Sequence, residues 1–201
     1  MSALDPSSPS SSAHARRGGL SPRQLGVYVF FASLSVLFAA MLVGYFITRA
    51  QSPLWRTADM PKLPIGLWLS TLLVFGISAA FQSALISVRK NHPSALVQRL
   101  WLGTALVALF LFAQLQNWLA MYRGMFSAPA RSLYPYTFYM LTGLHAAHVV
   151  GGLIPVALVL GRARRREYSS SNHEGVALCV HYWHFLGLVW LVLFSVLELS
   201  T

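Results

Sequence analysis

Two pairs of histidines stand at a spacing that lets each pair act together. His145 and His148 are three apart, as are His181 and His184, and on a helix residues three apart share a face. Imidazole ligates haem iron and copper, so four histidines in apolar surroundings point first to a redox centre. Depth argues against it. By helical rise, His148 lies roughly 20 Å from one end of its helix and His184 about 9 Å from the same side, whereas the two axial ligands of a haem need similar depth. The competing account is neutral histidines hydrogen-bonded between helices. Gln114, Gln116 and Asn117 would do the same on a further helix.

The other chemistry-bearing types are sparse. Cys179 is alone, so it can form neither an intrachain disulfide nor the thiolate set of an iron–sulfur or dinuclear copper site. The acids number five: Asp5, Asp59, Glu167, Glu174 and Glu198. All lie in the tail, in loops or at a helix end, not at mid-membrane. Ion-coupled pumps place ionisable groups inside the bundle, so an autonomous proton pump does not fit. There is no phosphate-binding glycine loop, nucleophile elbow or metalloprotease helix.

The elements that must carry these residues follow from the placement of charge. Hydrophobic residues make up 56% of the chain, charged residues 10%, and mean hydropathy is +0.57. Stretches 24–48, 63–88, 100–122, 132–161 and 175–197 contain no Asp, Glu, Lys or Arg. Each exceeds the ~20 residues that cross a hydrocarbon core as a helix. They are too long and too continuously apolar for barrel strands. The sequence therefore predicts an all-α bundle of five transmembrane helices, about 24–49, 63–88, 100–121, 136–161 and 178–199, within a domain 23–201. Residues 1–22, rich in Ser and Pro, read as a disordered cytoplasmic tail. Arg16-Arg17 is not read as a secretion signal, because the apolar run after it is as long as a true span.

The net charge of +10 does not point to nucleic acid, because the basic residues flank the spans. Ten lie on one side: Arg16, Arg17, Arg23, Arg89, Lys90, Arg99, Arg162, Arg164, Arg165 and Arg166. Five lie on the other: Arg49, Arg56, Lys62, Arg123 and Arg131. That bias puts the amino terminus in the cytoplasm and the carboxyl terminus outside. Trp55, Trp68, Trp101, Trp118, Tyr134 and Tyr136 near span ends read as interfacial anchors. Pro93, Pro129 and Pro135 fall between spans, and Pro155 is expected to bend the fourth. On that span Gly143, Ala147 and Gly151 recur every four residues, a seam along which a neighbouring helix is expected to approach closely.

Two spans carry specific motifs. FYMLTGLHAAHVVGG, Phe138 to Gly152, resembles the signature helix of subunit III of the haem-copper terminal oxidases: Thr-Gly, two His three apart, then Gly. HYWHFLGLVWLVLF, from His181, is similar to the family's Tyr-Trp-His-Phe segment followed by Val-Trp. LPIGLWLSTLLVFGISAAFQSA resembles its Pro-x-x-x-Leu-Trp-x-x-Thr helix, and LGVYVFFASLSVLF matches its counterpart more loosely. The resemblance implies a short five-helix form, lacking two amino-terminal helices of longer members, in a bacterial-type inner membrane. It implies a subunit with no redox centre of its own, haem and copper being on partner subunits. Such a subunit packs against catalytic subunit I and other oxidase subunits, binds phospholipid in a cleft, and supports proton delivery. Thr142, His145, His148, Trp183 and His184 would form the family's polar core. Three family acids are missing: Leu34, Asn117 and Gly187 stand where the family commonly has Glu, Glu and Asp. The accessory subunit of nitric oxide reductase, which shares the fold, is the close alternative, and a haem-carrying membrane anchor the distant one.

Overall fold

A computed structural model describes residues 22–52, 55, 63–125 and 133–199. Within them the chain forms α1 (Pro22–Gln51), α2 (Gly66–Arg89), α3 (Pro93–Met125), α4 (Tyr134–Arg164) and α5 (Glu174–Leu199), with no strand among the described residues. All five are long and apolar enough to cross a membrane. Helices are the outcome lipid dictates, because each satisfies its backbone within itself. Residues 1–21 of the expected tail, and Asp59 and Pro129 of the expected loops, lie outside the described residues.

The helices outrun the apolar stretches. α3 has 33 residues and spans about 50 Å, against a core of about 30 Å. It begins at Pro93, which the sequence placed between spans. Proline fits the first turn of a helix, where the missing N–H has no intrahelical partner to lose. Pro135 likewise sits in the first turn of α4, and α4 runs unbroken through Pro155.

Helices α2, α3, α4 and α5 close a ring in which α2 packs on α3 and α5, and α4 on α3 and α5. α1 rests outside this ring, against α4 and α5 only. Glycines allow close approaches at three places, the first being Gly66 of α2 against the Asn117 side chain of α3. A Cβ on Gly103 of α3 would come within 2.8 Å of the Phe81 ring of α2, and one on Gly152 of α4 within 2.6 Å of Tyr182 Cε1 of α5.

The expected seam lies elsewhere. Gly143 and Gly151 would meet nothing within 4 Å, and Ala147 and Gly151 are exposed. Among the described residues, no helix seats on that face. Residues 151 and 152 differ by about 100° around a helix, which is enough to exchange the packed face for the open one.

Some aromatic anchors also move inward. Trp68, Trp101 and Tyr136 are exposed as anchors should be. Trp55 and Tyr134 are buried, with Trp55 edge-on to Tyr45 at 5.3 Å and to Tyr134 at 5.9 Å. That cluster joins α1 to the start of α4. Trp118 is spent on an interhelical bond described below.

Candidate functional site

The core of the four-helix ring is polar at selected points, and the points cross-link neighbouring helices. Thr142, fully buried on α4, accepts a hydrogen bond from Trp118 Nε1 of α3 at 3.0 Å. Its own hydroxyl donates to Phe138 O at 2.7 Å. Tyr139 of α4 donates to Trp118 O at 2.7 Å. Asn117 of α3 donates through Nδ2 to Ser70 Oγ of α2 at 3.2 Å and rests against Gly66. Trp190 Nε1 of α5 donates to Thr71 Oγ1 of α2 at 3.1 Å. A buried indole carries one donor and needs one acceptor, and the lone Thr of α2 supplies it.

The four histidines differ in their surroundings. His184 of α5 uses both ring nitrogens on α2: Nδ1 meets Ser78 Oγ, and Nε2 meets Gln82 Oε1 at 3.1 Å. The carbonyl oxygen of Gln82 only accepts, so Nε2 carries the proton and Nδ1 accepts from the Ser78 hydroxyl. Neither nitrogen is left for a metal. His148 Nδ1 lies 2.8 Å from the Leu144 carbonyl in its own helix, and its own carbonyl accepts from Tyr182 OH of α5 at 2.8 Å. His145, 1% exposed, departs from the interhelical hydrogen bond expected of it. Its ring packs among Trp190, Phe110 and Phe38 at 5.2, 6.0 and 6.3 Å, and Nδ1 has no hydrogen-bond partner among the described residues. His181 is exposed.

The remaining motif residues serve packing. Trp183 of α5 stacks on Phe81 of α2 with ring centres 5.0 Å apart. Leu34 is buried on α1. Gly187 lies where a Cβ would be 3.2 Å from Val74 Cγ1, and it lines, with His145 and Trp183, a cavity of about 10 Å³. Two glutamine expectations fail: Gln116 is exposed, and buried Gln114 makes no side-chain hydrogen bond within the described residues. Among the described residues, no group of three or more His, Cys, Asp or Glu could hold a metal ion.

The open face of α4 is one wall of a groove of about 510 Å³, walled also by α1 and α5. Gly151, Ala147, His148 and Pro155 line it from α4, Phe30 and Phe31 from α1, Cys179 and Tyr182 from α5. Small residues on α4 leave the space, and aromatic rings on the other walls make it apolar. The sequence missed both this groove and the partners Ser70, Ser78 and Gln82. Isolated polar residues on an apolar helix have no spacing signature. The one available signal was the need of each buried indole or imidazole for a partner.

What the arrangement can do is hold the four ring helices in register with polar contacts. The comparisons with known proteins agree with a chain of that kind. The family model described as cytochrome c oxidase subunit III matches residues 13–199. "Cytochrome c oxidase subunit 3" of Synechocystis sp. is 30% identical over 93% of this chain and 79% of its own length. Proteins of the same name from Thermostichus vulcanus and Alkalihalophilus pseudofirmus are 27% and 28% identical, over 89% and 93% of this chain and 88% and 92% of their own. With the family motifs running through a membrane bundle along nearly its whole length, the chain belongs to the cytochrome c oxidase subunit III family.

Proposed function

We propose that this chain is the non-catalytic subunit III of a haem-copper oxygen reductase. It packs on the catalytic subunit, stabilises it during turnover and supports its proton uptake, while haem, copper and electron transfer belong to partner subunits. The carrying observation is the family match over residues 13–199. It is supported by a polar core of uncharged side chains in which His184 is saturated by Ser78 and Gln82. The relatives named for the oxidase favour this reading over the nitric oxide reductase accessory subunit.

Support of proton uptake here would not use acids at the three departing positions. Leu34 is a buried hydrocarbon, Asn117 is paired with Ser70, and Gly187 packs on Val74. The groove between α1, α4 and α5 suits the acyl chains of a bound phospholipid, being apolar and open to the membrane side. The chain sits in a bacterial-type inner membrane with its amino terminus cytoplasmic and Thr201 outside. Supporting this, Asn91 and Ser170 bond the α2–α3 turn to the α4–α5 loop at one end of the bundle, the end with the larger share of basic residues.

Affinity capture of the tagged chain from its native membrane tests the assignment. The captured material is expected to contain haem and copper and to consume oxygen. Capture of an enzyme that reduces nitric oxide and not oxygen would replace the assignment with the accessory-subunit reading.

A further inference from the structure

At the end of the bundle that carries the α2–α3 turn and the α4–α5 loop, the two loops are fixed to each other. Asn91 Nδ2 donates to Ser170 Oγ at 3.0 Å, and Asn91 Oδ1 accepts the Ser170 N–H at 2.7 Å. Between the first turns of α3 and the last turn of α4 lies a pocket of about 310 Å³, lined by Pro93, Ser94, Val97, Ala163, Arg164 and Arg166. Two arginines are among its lining residues and, among the described residues, no acidic residue is.

Arg164 is fixed by its side chain and Arg166 by its backbone. Arg164 Cζ stands 5.1 Å from the centre of the Trp101 ring of α3, a cation–π contact. Arg166 follows the end of α4 with φ 56°. Its N–H donates to Ala163 O at 3.0 Å and the Glu167 N–H to Arg162 O at 3.1 Å. Those bonds close a helix around a left-handed residue, a position glycine usually fills. An arginine there bears a steric penalty that glycine would not. Two like charges lining one small pocket repel, and an anion between them reverses the sign of the interaction.

We propose that this pocket binds the phosphate of an anionic phospholipid headgroup. The planar guanidinium fork matches phosphate oxygens. The lipid source follows from what leads away from the pocket. Val97, Trp101, Ala105, Ala108 and Phe112 succeed one another at helical spacing down the outer flank of α3. The two alanines make a shallow apolar track on which acyl chains lie once the headgroup is seated. Basic pockets at the ends of transmembrane helices recognise anionic lipids in this way. The site is separate from the groove beside α1, and it needs only that the bundle spans a membrane, not which complex it joins.

The test is native mass spectrometry of the full chain in detergent, titrated with phosphatidylglycerol and, separately, phosphatidylcholine. The wild-type chain is expected to retain one phosphatidylglycerol in preference to phosphatidylcholine, and excess inorganic phosphate leaves it bound. Arg166→Gly keeps the left-handed turn and removes the guanidinium. Combined with Arg164→Gln it should weaken that first lipid about twenty-fivefold, at about fivefold per arginine near an anionic surface. Arg165→Gln removes the same charge beside the pocket, and its effect should be smaller than that of Arg166→Gly. Three results would overturn the proposal: equal binding of phosphatidylcholine, an Arg165→Gln loss as large as that of Arg166→Gly, or displacement of the lipid by inorganic phosphate.

Discussion

Replacing Gly152 by Ala adds one methyl group where α4 and α5 come closest. The new Cβ would lie 2.6 Å from Tyr182 Cε1 and 3.2 Å from Trp183 Cζ2. Neither ring can retreat freely. Tyr182 is tethered by its hydroxyl to the His148 carbonyl at 2.8 Å, and Trp183 is stacked on Phe81 at 5.0 Å. Relief requires that the helices part or that the tyrosine swing and give up its bond. Overpacking of a filled core costs about 1–3 kcal/mol. A lost interhelical hydrogen bond adds about 0.6 kcal/mol, the average in membranes. The companion substitution, Gly151→Ala, adds the same methyl one residue away, where nothing lies within 4 Å. It should change stability by less than about 0.5 kcal/mol or raise it slightly, since alanine favours helix over glycine. Unfolding of the full chain by SDS in mixed micelles, followed by tryptophan fluorescence, measures both. If Gly151→Ala destabilises as much as Gly152→Ala, or if Gly152→Ala is neutral, the α4–α5 contact is not where the structure puts it.

Trp190→Phe and Thr71→Val each remove one side of the α5–α2 bond at 3.1 Å. A double-mutant cycle in the same assay should give a coupling of about 0.6–1.7 kcal/mol, and zero coupling would remove this link. His184→Leu should destabilise the bundle more than His184→Gln, because it leaves Ser78 and Gln82 without their partner. Equal losses would show that the bonds contribute little. The purified chain should show no Soret band at one haem per chain, and a stoichiometric band lost on His148→Ala would revive the haem-anchor reading. Cysteines introduced at Ser10 and Ser200, in a Cys179→Ala background, should label from outside intact cells only at position 200. Labelling at 10 alone would reverse the orientation.

The five helices were legible because lipid leaves a strong mark: no charge for more than twenty residues at a time. Their ends were less so. Charge-free length measures the hydrocarbon, whereas the helix continues into water as long as its hydrogen bonds hold, and α3 therefore carries Arg99 and Arg123 inside it. The motif residues of α4 and α5 were visible as a pattern, and Thr142, His145, Trp183 and His184 do face the ring or its seams. Their partners were not visible. Ser70, Ser78 and Gln82 become meaningful only when α2 is docked, since residues 47, 106 and 102 positions apart meet only in three dimensions. What covers the glycine face was not legible for a related reason. A spacing of four defines a face but not what covers it, and only coordinates separate Gly151, on the open groove, from Gly152, against Tyr182.

The most direct test of the non-catalytic role is oxygen consumption by the purified oxidase with and without this chain, expressed per haem. Removing the chain should leave most of the initial turnover in place while activity declines sooner during sustained catalysis. If an otherwise assembled core loses its initial turnover when the chain is absent, and regains it only with the chain carrying an intact His148, then this subunit takes part in the chemistry and the account is wrong.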